Sequence, residues 1–272
     1  MKVIALGTGV CANGYLPGAD RQPPGFLVDA DGFLVLLDCS EGIRFRIAAA
    51  GYDYGSVGHI ALTHSHPDHA ALPQFILAKF GRRIYANDDP SFATCNFYMH
   101  PRLIKGFGRV WEWHVPENKG KYWPQLTPTF VPMKDRSRVK LAPGVVLKSY
   151  EVHHGFGKHP ALCFRLETPD GVVAYSGDSG ACDGLIEAAK GADLFICESS
   201  NRIGTTDADV YGHMTPREAG EVATRSRCKR LRIMHTSGID ALAAILREIR
   251  DAGYRGDAAL ADDGDVYRIK RR

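Results

Sequence analysis

The sequence predicts an α+β fold built as one domain over residues 1–272, and three observations point to it. Apolar runs of roughly four to eight residues, the length of buried strands, recur along the chain. Segments with helical spacing alternate with them, in two similar halves. No obvious linker separates the halves. No apolar run approaches the ~20 residues that a membrane span needs. Met1–Gly7 reads as an opening strand rather than a signal peptide, so the expectation is a cytoplasmic protein without a membrane partner. The net charge of +3 says little about partners, and the Ile269-Lys270-Arg271-Arg272 tail reads as a solvated end. Seven cysteines without a Cys-x-x-Cys pair read as free thiols rather than disulfides or a structural zinc site.

In order, Lys2–Leu6 is a strand ended by Gly7-Thr8-Gly9, and residues 10–24, rich in Gly and Pro, read as a loop. Gly25–Asp29 and Phe33–Leu37 flank Ala30-Asp31-Gly32, a hairpin signal. Ile43, Ile47 and Ala50 have helical spacing with Gly51 as the stop. His59–Leu62 is a short buried strand, Ala70–Phe80 a helix and Arg82–Ala86 a short strand. Residues 88–143 are the least regular part and form an aromatic-rich insert. All three tryptophans (Trp111, Trp113, Trp123) lie there with Phe97, Tyr98, Phe107, Tyr122 and Phe130, interleaved with Arg102, Lys105, Arg109, Lys119 and Lys121. That pattern suits a lid or dimer surface packing its own aromatics, with stacking on nucleotides as the rival reading. Val145–Val152 is a strand, and Ala161–Glu167 with Val172–Ser176 form a hairpin around Thr168-Pro169-Asp170-Gly171. Asp183–Ala189 is a helix capped by Asp183, and Asp193–Cys197 a strand. Thr215-Pro216-Arg217-Glu218 is a capped helix start and Arg230–Met234 a strand. Asp240–Ala252 is an amphipathic helix with Leu242, Ile245, Leu246 and Ile249 inward, and two short strands near 257–269 close the chain.

The chemistry concentrates in Thr63-His64-Ser65-His66-Pro67-Asp68-His69. If the chain stays extended through His66, His64 and His66 point to one side, and Pro67 lets Asp68 and His69 swing round to a second position. Imidazoles and a carboxylate are what a divalent ion such as Zn²⁺ accepts, and so many polar groups are hard to place in a core without partners.

This His-x-His-x-Asp-His stretch resembles the signature of the metallo-β-lactamase superfamily, whose fold is a four-layer αββα sandwich. Leu36-Leu37-Asp38-Cys39-Ser40-Glu41-Gly42-Ile43 resembles the segment ahead of the metal turn in the ribonuclease Z-like branch, with Asp38 either bracing the site or capping a helix. The resemblance implies further ligands downstream. His154 in Glu151-Val152-His153-His154-Gly155 fits the third-histidine position better than His153, and His159 is a weaker candidate. Asp178 in Ser176-Gly177-Asp178 fits the bridging aspartate, and His235 after Arg232-Ile233-Met234 the last ligand. The implied set is His64, His66 and His154 on one ion, Asp68, His69 and His235 on the other, and Asp178 between, with Zn²⁺ the default and Mn²⁺ or Fe able to fill such sites. Two ions so held share and acidify a water, whose hydroxide attacks phosphorus or a carbonyl carbon, with Asp68 placed to orient it. Gly212-His213-Met214-Thr215 resembles the segment whose histidine assists the leaving group in the ribonuclease Z-like branch, with Glu198 as its orienting acid.

The function expected is therefore a dinuclear phosphodiesterase. Only 23 residues lie between His154 and Asp178, too few for a transfer-RNA-binding arm, so a small cyclic or nucleotide-type phosphodiester comes first and transfer-RNA 3′ processing second. Hydrolysis of a lactone, carboxylic or sulfate ester on the same ions is the nearest rival. An iron persulfide dioxygenase and a non-catalytic binding protein are further ones. A homodimer is what the resemblance implies for assembly.

Overall fold

The structure is a computed structural model and describes residues 1–10, 21–86, 95–114, 128–206, 211–236 and 238–271, with the side chains of 80 and 82–86 left aside. Two seven-stranded sheets are built by the same plan. In the first half, β1 (Lys2–Gly7), β2 (Gly25–Ala30) and β3 (Phe33–Leu37) form an antiparallel meander. The chain then passes through α1 (Ile43–Ala49), β4 (His59–Ala61), α2 (Leu72–Ala86), β5 (Asn96–Met99), α3 (Pro101–His114) and β6 (Thr129–Pro132). Strands β3 to β6 pair in parallel. In the second half, β7 (Arg138–Ala142), β8 (Val145–Glu151), β9 (Leu162–Thr168) and β10 (Gly171–Tyr175) are antiparallel. Helix α4 (Asp183–Ala189), β11 (Leu194–Glu198), α5 (Pro216–Ser226), β12 (Arg230–Met234), α6 (Leu242–Asp251) and β13 (Asp257–Leu260) follow, with the strands parallel to β10. The last strand, β14 (Val266–Arg268), crosses back to pair with β1.

Side-chain alternation along the strands sorts the apolar residues into layers. Val3, Ala5, Phe26, Val28, Val35 and Leu37 of the first sheet meet Leu147, Phe164, Leu166, Val173 and Tyr175 of the second in one core between the sheets. Their neighbours Ile4, Leu6, Leu27 and Leu36 point the other way, onto Ile43, Ile47, Phe75 and Leu103 of α1 to α3. On the far side, Phe195, Cys197, Leu231 and Ile233 pack against Leu185, Val222 and Ile249 of α4 to α6. The result is the four-layer αββα sandwich expected. Each fully buried side chain of this kind contributes roughly 1.5–3 kcal/mol relative to exposure.

Four local expectations are corrected. Arg82–Ala86 belongs to the last turns of α2 rather than to a strand, since arginine and alanine are good helix formers and Gly81 does not stop the helix. Residues 88–143 are more regular than expected: β5 and β6 extend the first sheet, α3 covers them and β7 opens the second sheet. Phe97, Tyr98 and Trp111 are core residues there, whereas Trp113 is exposed. Trp123, Tyr122, Lys119 and Lys121 lie outside the described residues, as does most of 10–24. The N-cap of α4 is Cys182, with no side-chain capping bond, and Asp183 instead sits in the first turn. Leu242 is 52% exposed, because it starts α6 ahead of the turn where Ile245 and Ile249 reach the core. The capping box at Thr215 and Glu218 forms as expected.

Candidate metal centre

The site lies in the crevice outside the carboxyl ends of strands from both sheets, where loops are free to present polar groups. Asp38 follows β3, the turn 63–69 follows β4, His154 follows β8 and Asp178 follows β10. Glu198 ends β11, and His235 follows β12. Pro67 and Asp68 reverse the chain, and His69 N–H donates to the His66 carbonyl at 3.0 Å. His69 is then clipped to the first sheet by Cys39 N–H, which donates to its carbonyl at 2.9 Å. His235 holds a left-handed backbone (φ 52°), uncommon for a residue other than glycine, and its N–H donates to the Thr8 carbonyl at 2.7 Å.

Donor atoms of His64, His66, His154 and Asp178 all lie within 4.8 Å of one another, and so do those of Asp68, His69 and His235. Asp178 faces both groups. Its Oδ2 is 3.8 Å from His64 Nε2, while its Oδ1 is 3.1 Å from His69 Nε2 and 3.5 Å from His235 Nδ1. His69 Nε2 and Asp178 Oδ1 approach without the alignment of a hydrogen bond. Among the described residues, His64 Nε2, His69 Nε2 and Asp178 Oδ1 are buried with no hydrogen-bond partner. Orphaned buried groups of this kind are costly, and three of them converging on one space are what divalent cations satisfy. The residues present therefore fit the metal ions that the sequence pattern implies.

Other bonds aim the imidazoles. His69 Nδ1 donates to Asp38 Oδ2 at 2.7 Å, and His154 Nδ1 donates to the Gly212 carbonyl at 3.0 Å, leaving Nε2 of each ring toward the centre. Thr63 Oγ1 lies 3.0 Å from His64 Nδ1. The Ser200 hydroxyl meets His235 Nδ1, whose Nε2 lies 3.4 Å from Asp68 Oδ2. Such partners fix ring orientation and tautomer. Asp38, fully buried, also accepts from Thr63 N–H and Oγ1 and from the Tyr175 hydroxyl at 2.8 Å. It braces the site; the residue ahead of α1 is Gly42, with no side-chain cap. Asp178 is presented by Gly177 (φ 57°), where a Cβ would sit 2.6 Å from Thr63 Cβ.

The electrostatics follow from burial and crowding. Burial, reinforced by His69, holds His64 well below the ordinary histidine range, and burial pushes His154 down to about 4. Burial also opposes a charge on His69, but Asp178 and Asp38 on either side raise it well above the usual value. Asp178 is held well below the carboxylate range against its own burial, chiefly by His235 and His69. Neutral His64 and His154 beside an ionised Asp178 are in the protonation states that metal binding requires, whereas His69 must give up a proton to bind an ion.

His213 sits beside this cluster, its ring 5.0 Å from that of His154 and 5.8 Å from that of His235. Its Nδ1 donates to Glu198 Oε1 at 2.7 Å. Glu198 is fully buried and accepts also from Ser179 N–H and Ser200 N–H. Burial disfavours the charged ring, yet Glu198 and then Asp178 push it up to about 9.

All nine residues expected from the sequence are thus brought together, with Glu198 reaching the cluster through His213. His153 is not in either donor group, and His159 stays outside them, with its Nε2 against the Ser65 hydroxyl at 3.2 Å. Thr63, Tyr175, Ser200 and the Gly212 carbonyl are further parts that the sequence reading passes over. Their only signal is position, each lying within three residues of an expected ligand, of Glu198 or of His213.

A two-sheet sandwich with a His/Asp cluster at the strand ends defines a metal-dependent hydrolase fold, and comparison with known proteins places it. The β-lactamase superfamily domain matches residues 34–236, so the chain belongs to that superfamily. It is 25% identical over 267 residues to a ribonuclease Z of Sulfolobus acidocaldarius, covering 87% of this chain and 88% of that protein. Among solved structures, the metallo-β-lactamase fold protein YhfI of Bacillus subtilis superposes with a TM-score of 0.76 at 20% identity, covering 98% of each chain. Human tRNase Z, short form, superposes at 0.73 with 21% identity over 99% of each. No described helix is long and apolar enough to cross a membrane.

Proposed function

We propose that the chain is a phosphodiester hydrolase of the ribonuclease Z kind, acting on RNA with two divalent ions, Zn²⁺ by the chemistry of its donors. The observation that carries this reading is the His213–Glu198 pair, 2.7 Å apart and set beside the ligand cluster. A charged histidine so placed can protonate the oxygen that leaves a phosphodiester. The curated relatives, named ribonuclease Z, support RNA over the small cyclic phosphodiester that the sequence reading puts first.

His64, His66 and His154 would hold one ion and Asp68, His69 and His235 the other, with Asp178 reaching both. Bound there, divalent ions supply positive charge for the phosphate oxygens and lower the pKa of the attacking water. Asp68 orients that water and takes its proton. His213, charged through Glu198, places a proton on the leaving oxygen.

One observation favours a smaller substrate as the second reading. The β9–β10 hairpin turns tightly at Thr168–Gly171, with no protruding arm to grip a large RNA. The test offers metal-replete protein a transfer-RNA precursor with a 3′ trailer, a cyclic nucleotide and a chromogenic phosphodiester, with Asp178→Ala as control. Cleavage at the trailer supports the first reading, and turnover of the small substrates alone supports the second. Inertness toward all three overturns both.

A further inference from the structure

We infer that Phe156 and Tyr211 form a stacking corner that holds a nucleobase of the substrate at the rim of the metal centre, an inference that rests on the phosphodiester reading above.

Gly155, Phe156 and Gly157 are three successive left-handed residues, with φ of 55°, 56° and 68°. The flanking glycines adopt this backbone freely, but a bulky aromatic does so only at a cost in strain. The turn is closed by Lys158 N–H donating to the Gly155 carbonyl at 3.0 Å and His159 N–H to the His154 carbonyl at 3.3 Å. It leaves Phe156 58% exposed, so the strain is not offset by burial of the ring. Phe156 N–H donates to the Tyr211 carbonyl at 3.3 Å, which fixes the two segments to each other.

The rings continue the site outward. His235, His213 and Tyr211 lie face to face in a column, with centroids 5.8 and 5.4 Å apart and planes within 22° and 18°. Tyr211 is 44% exposed at the outer end of the column. Phe156 stands against it at 81° with centroids 5.0 Å apart, so the two rings make a right-angled corner open to solvent. Tyr211 is also 5.9 Å from the His154 ring. A flat heterocycle resting in this corner lies beside the ligand cluster, close enough for its own ribose to carry a phosphate to the centre. Stacking of this kind accepts any base, because every base has a π-face, and it distinguishes a nucleotide from a sugar phosphate.

Calorimetric titration of metal-loaded protein with adenosine 5′-monophosphate and with ribose 5-phosphate tests the corner. The nucleotide is expected to bind about tenfold more tightly. Phe156→Asn suits the left-handed backbone while removing the ring. It should bring the nucleotide to parity with ribose 5-phosphate, whose own binding stays unchanged, and Phe156→Tyr should keep the preference. Equal binding of the two by the unaltered protein, no detectable binding of either, or a preference that survives Phe156→Asn each overturns the inference. A base preference in a protein that cleaves no phosphodiester supports the corner and counts against the hydrolytic reading instead.

Discussion

Asp38 accepts a hydrogen bond from His69 Nδ1 at 2.7 Å, and the same buried carboxylate also holds Thr63 and Tyr175. One side chain from the first half of the chain therefore aims a ligand, pins the peptide ahead of His64 and ties both to the second sheet. Asp38→Ala strands these donors and is expected to weaken metal binding by roughly 10- to 100-fold. Competition with a chelator measures it. An unchanged affinity would mean that the ligands hold their own positions.

His213→Ala should lower turnover of a phosphodiester by about 10²- to 10⁴-fold while leaving the bound metal unchanged. Steady-state rates and metal analysis on the same preparation check both halves of the statement. Full activity in the variant would remove His213 from the chemistry.

The Glu198–His213 pair also predicts a pH dependence in protein stripped of metal. The His213 pKa is raised in the fold, up to about 9, from about 6.5 in the unfolded chain. A raised pKa stabilises the fold fully below the unfolded value, and the contribution is lost as pH rises from about 6.5 through about 9. Proton NMR of the ring should show the high titration, and Glu198→Gln should abolish both it and the associated loss of stability.

Gly177→Ala is expected to destabilise the protein by more than the ~1 kcal/mol typical of point substitutions in general. The backbone there is left-handed, and the added Cβ would lie 2.6 Å from Thr63 Cβ, so either Asp178 or Thr63 must move. Chemical denaturation measures the loss, and a neutral result would show that the loop has slack.

Chelation should remove two ions per chain and lower the unfolding midpoint, because ligands bind the folded state and the orphaned donors of His64, His69 and Asp178 then face one another unpaired. Native mass spectrometry counts the ions. A single ion would confine the site to one of its donor groups.

The clustering of the expected ligand residues was legible because each sits at a strand end with local punctuation: Pro67 before Asp68 and His69, Gly177 before Asp178, an apolar run before His235. The choice between His153 and His154 is also local, since only one of two adjacent residues leaving β8 faces the cluster. The role of Asp38 was not legible, because a carboxylate after a strand suits a cap and a brace equally. Its partner Tyr175 is 137 residues away. Strand β5 and helix α3 were hidden for a different reason. Gly106, Gly108 and several aromatics weaken the helical signal of 101–114, and only packing of Leu103 and Trp111 onto the sheet makes it one.

The donor groups draw on both halves: one joins His64 and His66 to His154, the other Asp68 and His69 to His235. The first group cannot close until β8 and β10 have been laid against the first sheet, and the second waits for β12 beside β11. On the ribosome the nascent first half therefore carries four potential ligands but no complete cage, and metal capture becomes a late event that reports successful docking of the two sheets. Metal held there would act as a rivet through the sandwich, set only after its plates are aligned.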